Sequence, residues 1–261
     1  MTAIKEKFVE ILKYRELIES LVWKNIKVRY HGSALGYLWS FLSPFLMIGL
    51  FTLIFSYFLR IKIEHYPLFL ISAIIPWSFL SSSLLLGAQS LVSHTEFIKK
   101  MYCPREIFPL SLILTNVVVL LASLLAVIPF IFYFKGTLGA SFLMLPIVIF
   151  IHFLFTLGLA LILSCLHVFY RDVGHILDFL LMFWFYLTPV LYPLSMVPEF
   201  FQIFFYFNPM FHIISLYRDI LYSGIFPSFG FFLSSFVIGL VVLGAGWKVF
   251  RTLEQLVAKE L

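Results

Sequence analysis

The few ionisable side chains beside the long uncharged intervals of this chain are the residues that could do chemistry. His152 is the only ionisable group well inside such an interval. A neutral histidine bonded to a neighbouring helix, or placed near an interface, explains it more simply than a proton relay. The acidic residues available for catalysis are Asp172, Asp178, Glu199 and Asp219, and no two of them form an acidic pair. This pattern disfavours ion-coupled transport and a membrane-embedded transferase.

A cluster of side chains that could be mistaken for metal ligands follows the fourth uncharged interval. Its spacing matches no familiar metal-ligand pattern, and charges are common at helix ends, so we expect no metal site. The chain has no G-x-x-x-x-G-K-[ST] phosphate-binding loop, so we expect no ATP site and no cofactor in this chain, and a separate protein must supply the energy if the chain moves a solute uphill. Within the cluster, Arg171 and Asp172 are expected to form a salt-bridged turn or a contact surface for another subunit. Its members are His167, Arg171, Asp172, His175 and Asp178.

The composition places these residues in a membrane protein. Of the 261 residues, 62% are hydrophobic and 12% are charged, whereas about 25% are charged in an ordinary soluble domain. A soluble fold of this composition would lack the polar surface to cover its exterior, while lipid solvates an apolar exterior. The predicted fold class is therefore all-α integral membrane.

Charge-free intervals predict six transmembrane helices, because each is long enough to cross a hydrocarbon core of about 30 Å. A further apolar stretch, residues 197–217, is interrupted by Asn208-Pro209 and predicts a re-entrant helical hairpin before the last span. We divide the chain into a cytoplasmic amphipathic region, 1–30, and a six-helix transmembrane domain, 31–261. The predicted spans are 35–59, 66–92, 108–134, 142–166, 174–193 and 230–250.

The basic residues predict the orientation of these helices. Fourteen of the eighteen Lys and Arg residues fall on the side that carries both termini. By the positive-inside rule, both termini are cytoplasmic in a multi-pass protein of the bacterial inner membrane. Cys103 and Cys165 then lie at cytoplasmic ends of spans, where we expect no disulfide.

The amino-terminal segment has the pattern of an amphipathic helix. At 100° per residue its apolar side chains fall on one stripe, interrupted by Arg15, and its lysines lie off that stripe. Such a helix lies on the membrane surface. It serves either as an anchor or as a helix at the cytoplasmic mouth of a pathway. The stripe consists of Ile4, Phe8, Ile11, Ile18, Val22 and Ile26.

Five stretches, taken together and in this order, resemble the membrane-spanning subunit of type-2 ABC polysaccharide exporters. Trp23–Pro44 resembles the signature of that family before its first span, and Lys99–Ser111 resembles its cytoplasmic coupling loop. Tyr170–Asp172 resembles the Arg-Asp turn after span four. Thr188–Pro193 and Asn208–Gly224 resemble the outer re-entrant region. The resemblance covers nearly the whole chain.

This resemblance implies a homodimer with a channel along its interface, bound by two copies of a nucleotide-binding ATPase subunit. The implied substrate is a polysaccharide on an undecaprenyl-diphosphate lipid, with O-antigen favoured. The protein is also expected to contact membrane lipids, and it is not expected to bind nucleic acid. The residues implied to couple to the ATPase are Phe97, Lys99, Lys100, Tyr102, Pro104, Arg105, Glu106, Arg171 and Asp172. Those implied to gate the outer exit are Tyr192, Pro193, Asn208, Pro209 and Arg218.

The high aromatic content, 20% of the chain, fits a pathway for sugars, because sugar rings present apolar C–H faces that stack on aromatic rings. Aromatic side chains at the membrane interfaces or facing lipid explain the same content. Arg15 and Arg29 are candidates for contact with the lipid diphosphate, although the positive-inside rule accounts for them equally well. The candidate channel aromatics are Tyr37, Trp39, Phe45, Trp77 and Phe183.

Two other functions stay open at this stage. An ABC permease for a drug or small lipid would share the topology, and the motifs above favour polysaccharide over it. A membrane glycosyltransferase or acyltransferase would need catalytic acids that the chain does not offer as a pair. We therefore expect a transport subunit that is not itself an enzyme.

Overall fold

The computed structural model describes residues 10–30, 36–100 and 103–260, and every regular element within them is helical. Short 3₁₀ or π-helical turns flank several of the α-helices, notably at Gly36–Leu38, Leu53–Phe58, Ala140–Met144, Leu194–Met196 and Asp219–Ser223. The α-helices are α1 (Arg15–Tyr30), α2 (Trp39–Thr52), α3 (Tyr66–Ser93), α4 (Thr95–Lys100), α5 (Ile107–Lys135), α6 (Leu145–Phe169), α7 (Val173–Tyr186), α8 (Glu199–Tyr206), α9 (Pro209–Arg218) and α10 (Phe229–Glu260).

Four helices in the described part of the chain are long and apolar enough to cross a membrane. They are α3, α5, α6 together with the turn before it (Ala140–Phe169), and α10. Each lies on a predicted span. In lipid the backbone N–H and C=O groups must form hydrogen bonds within the protein, and a helix is the simplest way for a long charge-free stretch to do so. The all-helical membrane class is thereby confirmed.

The remaining two predicted spans correspond to shorter apolar helices, Leu42–Phe58 and Val173–Tyr186. Helix α7 ends at Tyr186, before the predicted carboxyl end of the fifth span at residue 193, and the chain continues in turns. Pro189 and Pro193 lack the amide hydrogens that a continuing helix would use. The 14 residues of α7 span about 21 Å.

The stretch predicted as a hairpin of half-helices forms two short helices, α8 and α9. They meet at Phe207 and Asn208, where the predicted interruption lies. Asn208 adopts an extended conformation, and its side chain accepts a hydrogen bond from the amide of Met210. Asn208 is therefore an N-cap, and Pro209 occupies the first helical position, where no amide hydrogen is needed.

The tightest packing joins α6 to α10. A Cβ added at Gly246 would collide with the carbonyl oxygen of Gly158, and one added at Gly158 would lie 2.5 Å from the carbonyl carbon of Val242. Small residues allow helix backbones to approach this closely in membranes. The central helix is α3, which packs against α2, α5, α6, α7 and α9.

The apolar side of α1 packs against the protein itself. Leu21 is buried in a hydrophobic cluster with Phe108 of α5 and Phe250 of α10, and Ile18 packs against that cluster. Ile26 is buried as well. The predicted stripe is therefore covered by other helices over its described part, while Ile4 and Phe8 lie outside the described residues.

Candidate functional site

The carboxyl-terminal end of α1 is fastened to the middle of the bundle. Arg29 donates a hydrogen bond of 2.7 Å from Nη1 to the Oδ1 atom of Asn116 on α5. Asn116 is almost fully buried, with 2% of its surface exposed. A hydrogen bond from a charged donor to a buried acceptor is stronger than one between neutral groups. This contact is therefore a specific tie between the amphipathic helix and a membrane-spanning helix.

Two adjoining cavities lie beneath α1 and share Arg29 and Ser82. The larger, of about 570 Å³, lies between α1, α3 and α5. The smaller, of about 210 Å³, continues toward α2. Neutral polar groups line both cavities, and apolar side chains make up most of the exposed wall of the larger one. The polar residues that line the two cavities are Lys24, Asn25, Arg29, Ser43, Ser78, Ser81, Ser82, Gln89, Ser93, His94, Thr115, Asn116 and Ser123.

A neutral polar face on α3 forms much of this lining, and sequence reasoning based on charged residues missed it. Ser78, Ser82, Gln89 and Ser93 recur at spacings of three to four residues or their multiples, which places them near one face of the helix. That periodicity within an otherwise apolar span is a signal that the sequence contains. The face turns toward α1 and the partly polar α5.

The amphipathic helix also contacts the short helix α4. The Nζ atom of Lys24 lies 5.8 Å from the centroid of the Phe97 ring, within range of a cation–π interaction. Between them His94 caps the end of α3, with Nδ1 2.8 Å from the carbonyl oxygen of Ser90. Burial lowers the pKa of His94, and Lys24 lowers it further against the opposing effect of Ser90. His94 is therefore held in its neutral form beside the positive Lys24.

The residues predicted to couple to an ATPase divide into exposed and buried members. Lys99 and Lys100 are exposed on α4, and 37% of Phe97 is exposed. Pro104 and Glu106 are buried at the start of α5, with 2% of Glu106 exposed. The exposed residues can meet a partner, whereas the buried pair can act only by positioning the loop. Tyr102 lies outside the described residues.

Arg105 connects this loop to the last helix. Its Nη1 atom donates a 2.8 Å hydrogen bond to the backbone carbonyl of Glu254 and lies 4.0 Å from the carboxylate of the same residue. Burial raises the pKa of the adjacent Cys103 thiol, which keeps it protonated. The loop, α5 and α10 are therefore joined at one end of the bundle, which we call the α4 end.

The remaining predicted contact residues at the α4 end lie on the surface. Arg171 and Asp172 are exposed in the turn between α6 and α7. A Cβ added at Gly174 in α7 would lie 3.8 Å from the amide nitrogen of Gln89, so this turn lies beside the last turns of α3. Arg15 is exposed at the start of α1.

The opposite end of the bundle, which we call the far end, is organised around Asn208. The indole nitrogen of Trp184 donates to Oδ1 of Asn208 at 2.9 Å, and Nδ2 of Asn208 donates to the hydroxyl of Thr188 at 2.9 Å. The same side chain caps α9. Asn208 therefore connects α7, the turns after it and α9.

Arg218 holds the same turns from the other side. Its Nη2 atom donates to the carbonyl oxygens of Pro189 at 2.7 Å and Val190 at 3.1 Å. Its guanidinium carbon lies 3.8 Å from the centroid of the Phe69 ring, so it also makes a cation–π contact. Tyr192 donates a 2.9 Å hydrogen bond to the carbonyl oxygen of Tyr186, and Pro193 is half-buried beside it. The structure thus brings the predicted far-end residues Asn208, Pro209, Arg218, Tyr192 and Pro193 into one region.

The candidate channel aromatics occupy different environments. Trp39 and Phe183 are exposed by 47% and 56%. Phe45 is half-buried and stacks on Phe130 with centroids 5.2 Å apart. Trp77 is only 6% exposed and makes edge contacts with Trp184 and Phe185 inside the bundle. We therefore leave Trp77 out of the surface that a translocating chain would contact.

The side chain of Tyr37 lies outside the described part of the chain. His152 is fully buried, with its ring against the rings of Phe79 and Tyr217. Neither ring nitrogen of His152 has a hydrogen-bond partner among the described residues, so the ring packs as an aromatic core residue. Within the described ranges, no group of three or more His, Cys, Asp or Glu residues could hold a metal ion.

The described residues thus form a bundle of membrane-length helices, with two cavities under an amphipathic helix that is tied to the bundle and with a loop connected to α10 at the same end. The sequence profile of the ABC-2 type transporter membrane family matches residues 16–222, so the chain belongs to that family.

Comparison with individual proteins places the chain among export permeases. It is 31% identical to the O-antigen export system permease protein RfbA of Myxococcus xanthus over 97% of this chain and 98% of that protein. It is 30% identical to the protein of the same name from Klebsiella pneumoniae over 94% and 95% of the two chains. The polysialic acid transport protein KpsM of Escherichia coli is 25% identical over 91% and 93%. The protein is therefore a membrane permease homologous to O-antigen export permeases.

Proposed function

We propose that this protein is the channel-forming subunit of an ATP-driven exporter that moves an undecaprenyl-diphosphate-linked polysaccharide, of the O-antigen type, out of the cytoplasm. It acts in the bacterial inner membrane as a homodimer with two copies of a nucleotide-binding subunit, which bind ATP and Mg. The observation that carries the proposal is the match to O-antigen export permeases over nearly the whole chain, at 31% identity for the Myxococcus protein. The polar cavity under α1 supports it.

In this proposal six helices cross the membrane and both termini are cytoplasmic. Besides the four long helices, the shorter helices Leu42–Phe58 and Val173–Tyr186 each cross the membrane. The turns that flank each of them complete the span. Helices α8 and α9 form the re-entrant hairpin, because each is too short to cross alone. The α4 end is then cytoplasmic and the far end faces outward.

The cavity beneath α1 is proposed as the cytoplasmic entrance for the lipid diphosphate. Lys24 and Arg29 contribute positive charge to its wall, and cationic side chains bind phosphate oxygens by charge-assisted hydrogen bonds. Apolar side chains of α1, α3 and α5 form much of the remaining wall, and the hydroxyl and amide groups among them suit the first sugars. Arg15, exposed at the start of α1, would contact anionic headgroups.

Coupling to ATP hydrolysis would begin at the exposed residues of α4. A nucleotide-binding subunit that contacts Phe97, Lys99 and Lys100 would displace Phe97, and Lys24 stacks over that ring. The same displacement would reach α10 through Arg105. Arg171 and Asp172 extend the contact surface at this end. At the far end, the hairpin held by Asn208 and Arg218 would gate the exit.

The proposal is tested by deleting the gene and restoring it in a strain that makes the glycan. We expect deletion to remove the glycan from the cell surface and to accumulate its lipid-linked form in the cytoplasm, and the wild-type gene to reverse both effects. Unchanged surface glycan after deletion would contradict the proposal. The purified chain alone should not hydrolyse ATP. Measurable ATP hydrolysis by this chain would refute the proposal that a separate subunit hydrolyses the ATP.

The entrance is tested by charge reversal. Lys24→Glu with Arg29→Glu should reduce export strongly, because both residues line the cavity. Lys27→Glu is the matched control, since Lys27 is an exposed lysine of the same helix outside both cavities. Equal loss of export in the control and the double variant would mean that the charge of the helix, and not the cavity, matters.

A further inference from the structure

A third cavity lies at the far end, beside the turn that follows α9. It encloses about 530 Å³, within the usual range for small-molecule sites. Three separate segments line it. They are Glu64 and His65 before α3, Lys135 at the end of α5 with Thr137 and Gly139 after it, and residues 222–224 before α10. Because α3 has 28 residues, this cavity lies about 42 Å along that helix from α4.

The walls of this cavity carry both hydrogen-bond donors and acceptors. Lys135 contributes an ammonium group and Glu64 a carboxylate, while Thr137 and Ser223 contribute hydroxyls. Polyhydroxylated ligands need donors and acceptors side by side, because each hydroxyl both donates and accepts. A free phosphate or lipid headgroup fits less well, since the Glu64 carboxylate would repel it.

Backbone geometry fixes the three segments relative to one another. Gly136 and Gly224 have φ angles of 73° and 74°, and His65 adopts a left-handed φ of 47°, which is uncommon for a residue with a side chain. A Cβ added at Gly139 would lie 2.8 Å from the carbonyl oxygen of Gly224. The two glycines adopt these angles without strain, whereas His65 does not, so the backbone at His65 is held in place by the surrounding structure.

Side-chain contacts complete the frame. Tyr222 donates a 2.9 Å hydrogen bond to the backbone carbonyl of Glu64, and the Nζ atom of Lys135 lies 5.5 Å from the centroid of the Tyr222 ring. The Lys135 and Glu64 side chains are thus placed around a common rim with Tyr222 as the connecting wall. The Glu64 side chain is exposed, and its Oε1 atom lies 3.4 Å from Nε2 of His65.

We propose that this far-end cavity binds a sugar unit of the exported glycan through its hydroxyl groups, and so forms an outer glycan-recognition site on the permease. This proposal rests on the proposed function. Lys135 and Glu64 bind neighbouring hydroxyls of the sugar, and Thr137 and Ser223 bind others. The site provides a means of discriminating between glycans after they have crossed the membrane.

The test measures whether exported glycan covers the cavity in cells. Ser223→Cys places a thiol on its wall, and a membrane-impermeant maleimide added outside reports its accessibility. The native Cys103 and Cys165 belong to the α4 end, and Cys165 is buried. Ser228→Cys is the matched control, because Ser228 is an exposed serine five residues further on that does not line the cavity.

We expect the labelling rate of Ser223→Cys to fall in cells that synthesise and export the glycan, relative to cells that cannot synthesise it. The rate falls in proportion to the unoccupied fraction, which is about tenfold at nine-tenths occupancy. Ser228→Cys should label equally in both strains. Adding Glu64→Gln and Lys135→Met should abolish most of the protection, while Lys62→Met, an exposed lysine outside the cavity, should preserve it.

Equal labelling of Ser223→Cys in the two strains, with surface glycan present, would overturn the site and leave the export function intact. Protection that survives the Glu64 and Lys135 changes would likewise overturn it, because the ligand would then not use these groups. Failure of the export function itself is recognised separately, by surface glycan that persists after gene deletion.

Discussion

The tie between Arg29 and Asn116 allows a quantitative prediction about the mobility of α1. In Asn116→Leu the guanidinium loses its only described side-chain partner on α5 while the volume of the side chain changes little. A hydrogen bond to a charged group contributes about 1.5–3 kcal/mol. If that energy holds α1 against α5, loss of the hydrogen bond should raise the fraction of molecules in which α1 has come away from α5 by roughly 10- to 150-fold.

Hydrogen–deuterium exchange of the full chain in lipid nanodiscs measures this change. Exchange of amides in residues 15–30 follows the local opening equilibrium, so these peptides should lose protection in Asn116→Leu by the stated factor. Thr115→Val is the matched control, because the Thr115 hydroxyl bonds to Ser111 within the same helix and not to α1. Asn116→Asp retains an acceptor for Arg29 and should retain protection.

The reasoning would be refuted by unchanged exchange in α1 when Asn116→Leu is otherwise folded, as judged by an unchanged thermal midpoint. Apolar packing against Phe108 and Phe250 would then hold α1 without help from Arg29. Equal loss of protection in Thr115→Val would also refute it, because a general loosening of α5 would explain both results.

Three further predictions concern stability. Gly246→Leu should destabilise the protein by at least the 1–3 kcal/mol typical of overpacking, because the backbone at Gly246 touches the backbone at Gly158. Gly244→Leu is the control, because a side chain at Gly244 meets open space, and its thermal midpoint should equal that of the wild type. Asn208→Ala should cost about 0.5–2 kcal/mol for the lost cap alone, seen as a lower midpoint by tryptophan fluorescence, whereas a midpoint equal to wild type would rule out the capping role. Because the pKa of His94 is lowered in the folded protein, the unfolded chain binds a proton at this histidine at higher pH than the folded chain does. The free energy of unfolding should therefore fall as pH drops from about 7.5 to about 5.5. His94→Gln should lose that part of the pH dependence, and an unaltered pH profile in this variant would contradict the role of His94.

The long helices were predictable because the bilayer leaves an uncharged stretch few options. The predicted span 66–92 and helix α3, Tyr66–Ser93, agree within a residue at each end, and 108–134 agrees equally well with α5, Ile107–Lys135. The break before Pro209 was also predictable, since proline restricts the residue before it.

The end of α7 and the polar cavity depend on tertiary contacts that the sequence does not display. The chain leaves the helix after Tyr186 partly because carbonyl groups of the following turns are bound by Arg218 and Asn208, which lie 20 or more residues further along. Trp77 gives no sign in the sequence that it is buried rather than exposed. The serines of α3 and Gln89 do form a polar periodicity that the sequence displays, but a search for charged groups passes over it.

The contact between Gly158 and Gly246 has a consequence for how motion can pass through the membrane. Helix α10 has 32 residues, about 48 Å, so it extends well beyond a hydrocarbon core of about 30 Å. Where two backbones touch directly, no rotamers are available to absorb a displacement. A force applied to the Glu254 end of α10 would therefore be passed to α6 as a lengthwise shift of both helices together, and would reach the far end of the bundle with little loss to side-chain rearrangement.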